Sequence, residues 1–359
     1  MIKSKISPRL IGRASQHSLA IVKCKTRRDF AKIARNNVQI VREFPFISSI
    51  AVFGKTEELF EITSMGEVLS LCEVEDCYTF CEMAKEDIGV SKLNAHGLLG
   101  KGITVAVLDS GIAPLIDICG VENRIKAFYD VVNKREKPYD DNGHGTMIAG
   151  VIGGNGYLSC GKYAGVASGC KFVGVKCMNF EGVGNSINIL DGMQWVYDNA
   201  QKYGISVVCM AFGAKYAGVY DPLVQGAEAL TNIGLCVCAA SGNDGTEGVK
   251  SPGVSKRVLT VGAFDDKRTD NHDDDEIASF SGRGGVLGKP DFLFPGVNVC
   301  ALSKEGDYAV YSGTIVACAI CSGVAALIKQ ANNRADCRAI KSILNANSYV
   351  KGENRYVYF

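Results

Sequence analysis

Three short polar segments break apolar runs at points where side chains could do chemistry. Asp109 ends the run VAVLD and is followed by Ser-Gly, His144 sits in DNGHGT where a polar loop runs into MIAGVIGG, and Asn243 lies in the glycine-flanked turn CAASGNDG. An aspartate can orient one nitrogen of an imidazole, which leaves the other free to take a proton from a nucleophile. An asparagine amide can donate to an oxygen on which negative charge develops. Together these types suit attack on a carbonyl. Each alone has a plainer reading: a strand-end aspartate caps a turn, a histidine ahead of a helix is structural, and Gly-Asn-Asp-Gly is a turn. A fourth stretch, YSGTIVACAICSGVAALI at 311–328, is a tight Ser-Gly-Thr turn entering an apolar helix of small residues. A helix apolar on every face belongs at the centre of a domain. Its N-terminus carries unpaired N–H groups and the positive end of the helix dipole, which favour negative charge there.

The elements that must position these residues follow from periodicity. Buried strands are predicted up to Asp109 and at 170–176, 206–210, 235–239 and 258–261. Helices are predicted from near His144, over 188–199 with Leu190, Met193, Val196 and Tyr197 on one face, and over 222–230. Apolar strands alternating with helices imply a parallel sheet covered on both faces, with right-handed crossovers. Ligands then meet the carboxyl ends of the strands, and Asp109, residues 211–213 and Asn243 all lie just past such ends. Ahead of this region the order is strand 19–23, helix 28–35, strands 38–43 and 47–53, helix 56–64 and strand 68–74. That is βαββαβ, a small ferredoxin-like α+β unit. Residues 1 to about 18 read as a polar tail and 77–90 as an acidic connector. The division is 1–86 and 87–359.

The 359 residues suit one large and one small domain. A net charge of +1 gives no reason to expect nucleic acid or an anionic membrane as partner. No membrane span is expected, since no apolar run reaches about 18 residues. The N-terminus lacks a continuous apolar segment of the secretory kind, so a cytoplasmic location is expected. The 15 cysteines are odd in number and sit in apolar segments, as buried free thiols do. Cys318 and Cys321 form a CxxC inside the apolar helix. With no second pair at zinc spacing, they read as packing.

In joint order, with SPG and RVLTVGAF after Asn243 and then IASFSGRG and KPDFLFPGVNV, these segments resemble the subtilisin-like (S8) serine proteases over roughly residues 90–345. The resemblance implies a doubly wound parallel sheet. It casts Asp109 as charge partner, His144 as general base and Asn243 as oxyanion donor. It makes the backbone at Phe180, Gly182 and Gly184, and at Met210, Ala211, Phe212 and Gly213, the two walls of a peptide cleft. The small first domain resembles the inhibitor-like propeptide of that family.

The family's helix begins Gly-Thr-Ser-Met-Ala. Here the frame reads Gly313-Thr314-Ile315-Val316-Ala317, which puts Ile315 in the nucleophile position. Other departures are Met147 for a second histidine, Ala319-Ile320 for Pro-His, and Cys209-Met210-Ala211-Phe212-Gly213 for Asn-Met-Ser-Leu-Gly. Ile315 has no atom that can attack a carbonyl. Cys318 lies about 4.5 Å further along the helix axis, and Ser312 and Thr314 flank the turn. The resemblance then implies a protease homologue without its serine. It would bind a peptide or partner protein and keep its propeptide-like domain attached in cis. The alternatives are a serine endopeptidase met as an inactivated, variant or laboratory copy, and a scaffold whose cleft has no role. No cofactor is expected. Relatives often insert a calcium loop after the histidine helix, but here GGNGYLSCGKYAG offers no carboxylate.

Overall fold

A computed structural model describes residues 17–44, 48–73, 88–120, 122–218, 221–269, 271–285 and 288–359. The polar tail up to residue 16 and most of the 77–90 connector fall outside these residues. The chain divides into two compact units, Met1–Tyr78 and Thr79–Phe359.

In the first unit, β1 (His17–Cys24), α1 (Phe30–Ile33), β2 (Gln39–Phe44), β3 (Ser49–Lys55), α2 (Thr56–Thr63) and β4 (Val68–Glu73) follow the expected βαββαβ order. The sheet order is β2-β3-β1-β4, all antiparallel. Its core is built by Val22, Ile33, Ile50, Leu59, Ile62 and Leu71. The first helix is shorter than periodicity predicts. A 3₁₀ turn, Arg27–Asp29, precedes it, with the Asp29 carboxylate accepting from Thr26 N and Oγ1 at 3.0 and 2.9 Å. The Asn36 amide then ends it by donating to the carbonyls of Lys32 and Ile33.

The second unit opens with α3 (Val90–Ala95), β5 (Thr104–Asp109), α4 (Ile116–Cys119) and β6 (Ile125–Asp130). It continues through α5 (His144–Gly153), β7 (Lys171–Lys176), α6 (Ser186–Tyr203), β8 (Ile205–Met210), α7 (Pro222–Asn232), β9 (Cys236–Ala240) and β10 (Leu259–Asp265). The last part holds β11 (Glu276–Ile277), β12 (Phe292–Pro295), β13 (Val299–Leu302), β14 (Tyr308–Tyr311), α8 (Thr314–Ala331), α9 (Cys337–Ala346), β15 (Ser348–Lys351) and β16 (Asn354–Val357). The main sheet runs β15-β16-β12-β10-β9-β8-β5-β7-β6, and it is parallel from β16 to β6.

Side chains alternate across this sheet, as strand geometry requires. Val105, Val107, Val207, Cys209, Cys236 and Cys238 face one layer with α5 and α8. Ala106, Leu108, Val208, Met210, Val237 and Ala239 face the other, against Met193 and Val196 of α6 and Leu223 and Ala227 of α7. The helices are started by local chemistry. Asn185 caps α6 by accepting from Asn188 N, and Asp221 caps α7 by accepting from Leu223 N and Val224 N, with Pro222 at the first helical position. Beyond the expected set are β6, β12, the β13–β14 and β15–β16 hairpins, and α9.

The central helix α8 starts at Thr314, after the expected Ser-Gly turn, and Tyr311 just ahead of that turn pairs with Val299 in the β13–β14 hairpin. It corrects one expectation: at 18 residues it is long and apolar enough to cross a bilayer by length and composition, yet 78% of it is buried inside this unit. It packs on α5 and on β8, β9, β10 and β12. Its last-turn Lys329 reaches back to the Gly234 carbonyl at 3.5 Å.

Leu327 of α8 is fully buried. Leu327→Ala is expected to destabilise this unit by about 2–5 kcal/mol through lost transfer energy and a residual cavity. The measurement is denaturant unfolding followed by emission of the single tryptophan, Trp195, which stacks between Tyr129 and Tyr203 in the same unit. A loss below 1 kcal/mol would show that α8 is not the core element described here.

Candidate active site

Strand β5 delivers Asp109 to its carboxyl end with no exposed surface. One carboxylate oxygen accepts from Ser110 N at 2.7 Å, and both oxygens face His144 Nδ1, at 2.8 and 2.9 Å. His144 is the first residue of α5. Its own N–H donates to Asn142 Oδ1 at 3.1 Å, and the next N–H, from Gly145, donates to Ser110 Oγ at 3.0 Å. Gly145 has to be glycine, because a Cβ there would stand 2.1 Å from the Gly111 carbonyl oxygen. The helix therefore seats directly on the strand end and brings the ring onto the carboxylate.

The loop before His144 is held by two further charged groups that spacing did not point to, the half-buried Asp140 and the buried Lys176. Asp140 accepts from Ser110 Oγ at 2.9 Å, Gly143 N at 2.8 Å, and Thr146 N and Oγ1 at 2.9 and 2.6 Å. Burial pushes its carboxyl pKa up, but these donors outweigh that and hold it below the ordinary value. Lys176, fully buried at the end of β7, donates to the Ser110 carbonyl and Asp141 Oδ1 at 2.6 Å each, and to the Met178 carbonyl at 2.8 Å. The ends of β5 and β7 and the DNGHG loop are thus one hydrogen-bonded piece.

Burial also pulls the His144 pKa down. The charge and hydrogen bond of Asp109, with the charge of Asp140 behind it, outweigh burial and hold the imidazole above its ordinary 6.5. With Nδ1–H committed to Asp109, the neutral ring presents Nε2 as a base. Among the described residues Asp109 is the only side-chain partner of this ring.

Asn243 follows β9. Its Oδ1 accepts from Thr314 N at 3.0 Å and Thr314 Oγ1 at 2.9 Å, so its amide nitrogen is the end left to donate. Gly313, with φ of +153°, gives the close approach this needs. A Cβ on it would stand 3.3 Å from Asn243 Nδ2 and 3.0 Å from Ile315 Cγ1. The branched side chain of Ile315 and the Asn243 amide therefore converge over the same turn. Ile315 is half-buried against the core. The other oxygens and sulfur nearby are engaged elsewhere: Ser312 Oγ accepts from Asn298 N, Thr314 Oγ1 serves Asn243, and the buried Cys318 Sγ faces the Met210 carbonyl at 3.9 Å.

The expected cleft walls follow β7 and β8, the two strands that flank β5. In the first, Asn179 Oδ1 accepts from Glu181 N and Val183 N at 3.0 Å each, and Asn142 Nδ2 donates to the Phe180 carbonyl at 3.1 Å. Phe180 is 65% exposed, and Gly182 turns the chain at φ +77°. Gly184 lies against the Cys177 carbonyl. In the second, the side chains of Met210 and Ala211 are core, so only their backbone can meet a peptide. Phe212 is half-buried and Gly213 exposed. Lys250 packs across Gly213 and Gly242 and pairs with Asp244 at 2.6 Å, joining this wall to the Asn243 turn. Among the described residues no group of three or more His, Cys, Asp or Glu side chains is spaced to hold a metal ion.

The Asp109–His144 pair has a pH signature. The folded imidazole pKa lies above the unfolded 6.5, so its contribution to stability is full below that value and is lost as pH rises through the folded pKa. An NMR titration of the four histidines should find His144 above 6.5 and, in Asp109→Asn, lower than in the parent, because burial is then opposed only by the charge of Asp140. A His144 value unmoved by Asp109→Asn would refute the pairing.

Residues 100–357 match the Peptidase S8, or subtilase, family. The chain is 40% identical over 293 residues to the serine protease AprX of Bacillus subtilis (strain 168), covering 74% of this chain and 65% of that protein, so it spans about two thirds of AprX. It is 32% identical over 250 residues to subtilisin Savinase of Lederbergia lenta, covering 68% of this chain and 84% of that protein. A cold-adapted subtilisin-like serine proteinase superposes with a TM-score of 0.60 at 28% identity, over 72% of this chain and 89% of that one. The buried aspartate–histidine couple at the end of a parallel sheet, the asparagine facing the mouth of the central helix and these likenesses lead to one conclusion: the chain belongs to the subtilase family.

Proposed function

We propose that this chain is a subtilase homologue that binds a peptide or a partner protein without cutting it. The observation that carries the reading is Ile315, which stands where the family frame calls for a serine, at the same Gly313 turn that Asn243 Nδ2 approaches. In subtilisin itself, removing that serine costs on the order of 10⁶ in turnover, a value measured on that enzyme. The strand-end backbone that would recognise an extended peptide needs no nucleophile. The N-terminal domain corresponds, on this reading, to a propeptide that is not removed, because family members cut it with their own active site. A cytoplasmic location belongs to the same proposal.

A second reading is favoured by the persistence of Asp109, His144 and Asn243: the chain is a serine endopeptidase by lineage, carried in an inactivated copy. Both readings give the same expectation for the chain as it stands. Purified protein should run as one uncut species of 38.3 kDa, take no fluorophosphonate label and leave casein intact. Labelling abolished by His144→Ala would overturn the first reading. The readings part on Ile315→Ser. If lineage alone was interrupted, this variant should label in a His144-dependent way and cut itself ahead of Ile88, whose carbonyl already accepts from Phe359 N at 2.8 Å. A fully inert, uncut variant removes the second reading's support.

A further inference from the structure

Away from the Asp109–His144 site, a cavity of about 260 Å³ opens between the end of α7, the loop before β10 and the start of α9. Its lining carries Lys256, Arg257, Arg338 and Lys341. Arg257 donates to Asn232 and Lys341 pairs with Asp291. Lys256 and Arg338 are exposed and have no hydrogen-bond or ion-pair partner among the described residues. The carboxylate on the lining, Asp336, is occupied as the N-cap of α9, accepting from Ala339 N at 2.8 Å. The cavity therefore offers positive charge and the positive end of a ten-residue helix.

A thiol lies at its edge. Cys337, the first residue of α9, lines the cavity and is 7% exposed. Its Sγ is 3.9 Å from that of the fully buried Cys236, at the start of β9. Behind this pair the series continues inward, Cys236 contacting Cys238 and Cys238 contacting Cys321 of α8. The group is not spaced to hold a metal. Cys337 thus meets the cavity at its wall, with Cys236 directly behind it and off the lining.

We infer that Cys337 and Cys236 form a redox-active dithiol, reached through this cavity by a small anionic disulfide of the oxidised-glutathione kind. Cys337, its proton lost to solvent, attacks one sulfur of the incoming disulfide. The S–S bond breaks, and the departing glutathione thiolate takes a proton. Cys236, deprotonated in turn, attacks the Cys337 sulfur and releases the second glutathione as a thiol. Two protein thiols are oxidised to one disulfide, and the glutathione disulfide is reduced to two thiols. The protein sulfurs close from 3.9 Å to about 2.05 Å, which ties α9 to β9. This inference is independent of what the cleft binds.

The test is native, full-length protein incubated with oxidised glutathione, alkylated, digested and mapped by mass spectrometry. The exposed Cys160 is the internal control for reagent activity. The expected product links Cys236 to Cys337, and Cys236→Ser should stop at a glutathione adduct on Cys337. Lys256→Ala and Arg338→Ala change exposed side chains only. Together they should slow the reaction with oxidised glutathione by about 10-fold while leaving that with neutral hydroxyethyl disulfide unchanged, which decides the matter even if Cys236→Ser folds poorly. Cys337 staying a free thiol while Cys160 reacts would overturn the inference. So would cystamine, a cationic disulfide, reacting as fast as oxidised glutathione.

Discussion

A carboxylate with no exposed surface has to be met by donors, and the carboxyl end of this sheet is arranged around that requirement at Asp109. Its oxygens are satisfied by Ser110 N and His144 Nδ1. Two more charged groups lie beside it, the half-buried Asp140 with five donors and the fully buried Lys176 with three acceptors. Taking one partner from such a buried set leaves an uncompensated charge and costs about 3–5 kcal/mol. This bears on how much the aspartate–histidine couple says about turnover. The couple holds α5 on β5 as much as it poises a base. Its presence is therefore weak support for turnover, since folding alone would retain it.

What could be read in the sequence was what is local. Asp109, His144 and Asn243 each sit where an apolar run meets a glycine turn, and the structure puts each at a strand or helix end. The alternation of apolar strands and helices was enough for a parallel sheet with helices on both faces. The supporting charges were not legible. Lys176 ends KFVGVK as a strand-terminal lysine that would ordinarily be solvated, and only the crossing of Ser110, Asp141 and Met178 buries it. Asp140 sits in the polar run YDDNG, which reads as an exposed loop. Lys250 meets Gly213 and Gly242 from a separate turn. β6 was missed because IKAFYD is an edge strand with half-exposed positions, so it lacks the continuous apolar signal of its neighbours. Cys236 and Cys337 are 101 residues apart, and no spacing rule joins them.

The first unit shows the same division. Strand alternation gave its order, and α2 followed from the helix start Thr56-Glu57-Glu58, with Leu59 and Ile62 buried behind it. The length of α1 did not follow, because the Asp29–Thr26 hydrogen bonds hold a 3₁₀ turn ahead of it and Asn36 ends it by side-chain bonds to the last carbonyls. Short polar residues decide boundaries and apolar residues decide existence, which is why existence was the safer inference here.

On the proposed reading, Ile315 changes the chemistry of the site at one position while the architecture around it stays the same. A β-branched side chain at the start of a helix has little χ1 freedom, so its carbons stay at the Gly313 turn. Half-buried against the core, it adds apolar contact where a serine would add little. Nothing in the support of the site depends on the nucleophile: Thr314 holds Asn243, Gly145 seats α5, and Lys176 binds the two strand ends. On the proposed reading, then, the bond-making atom is lost while the surface that would orient a peptide remains ordered before any ligand arrives. Recognition through such a surface is favoured because the ordering cost has already been met in folding. Cleavage would need an attacking atom on the imidazole, and Ser312, Thr314 and Cys318 each have their polar atom turned to another partner.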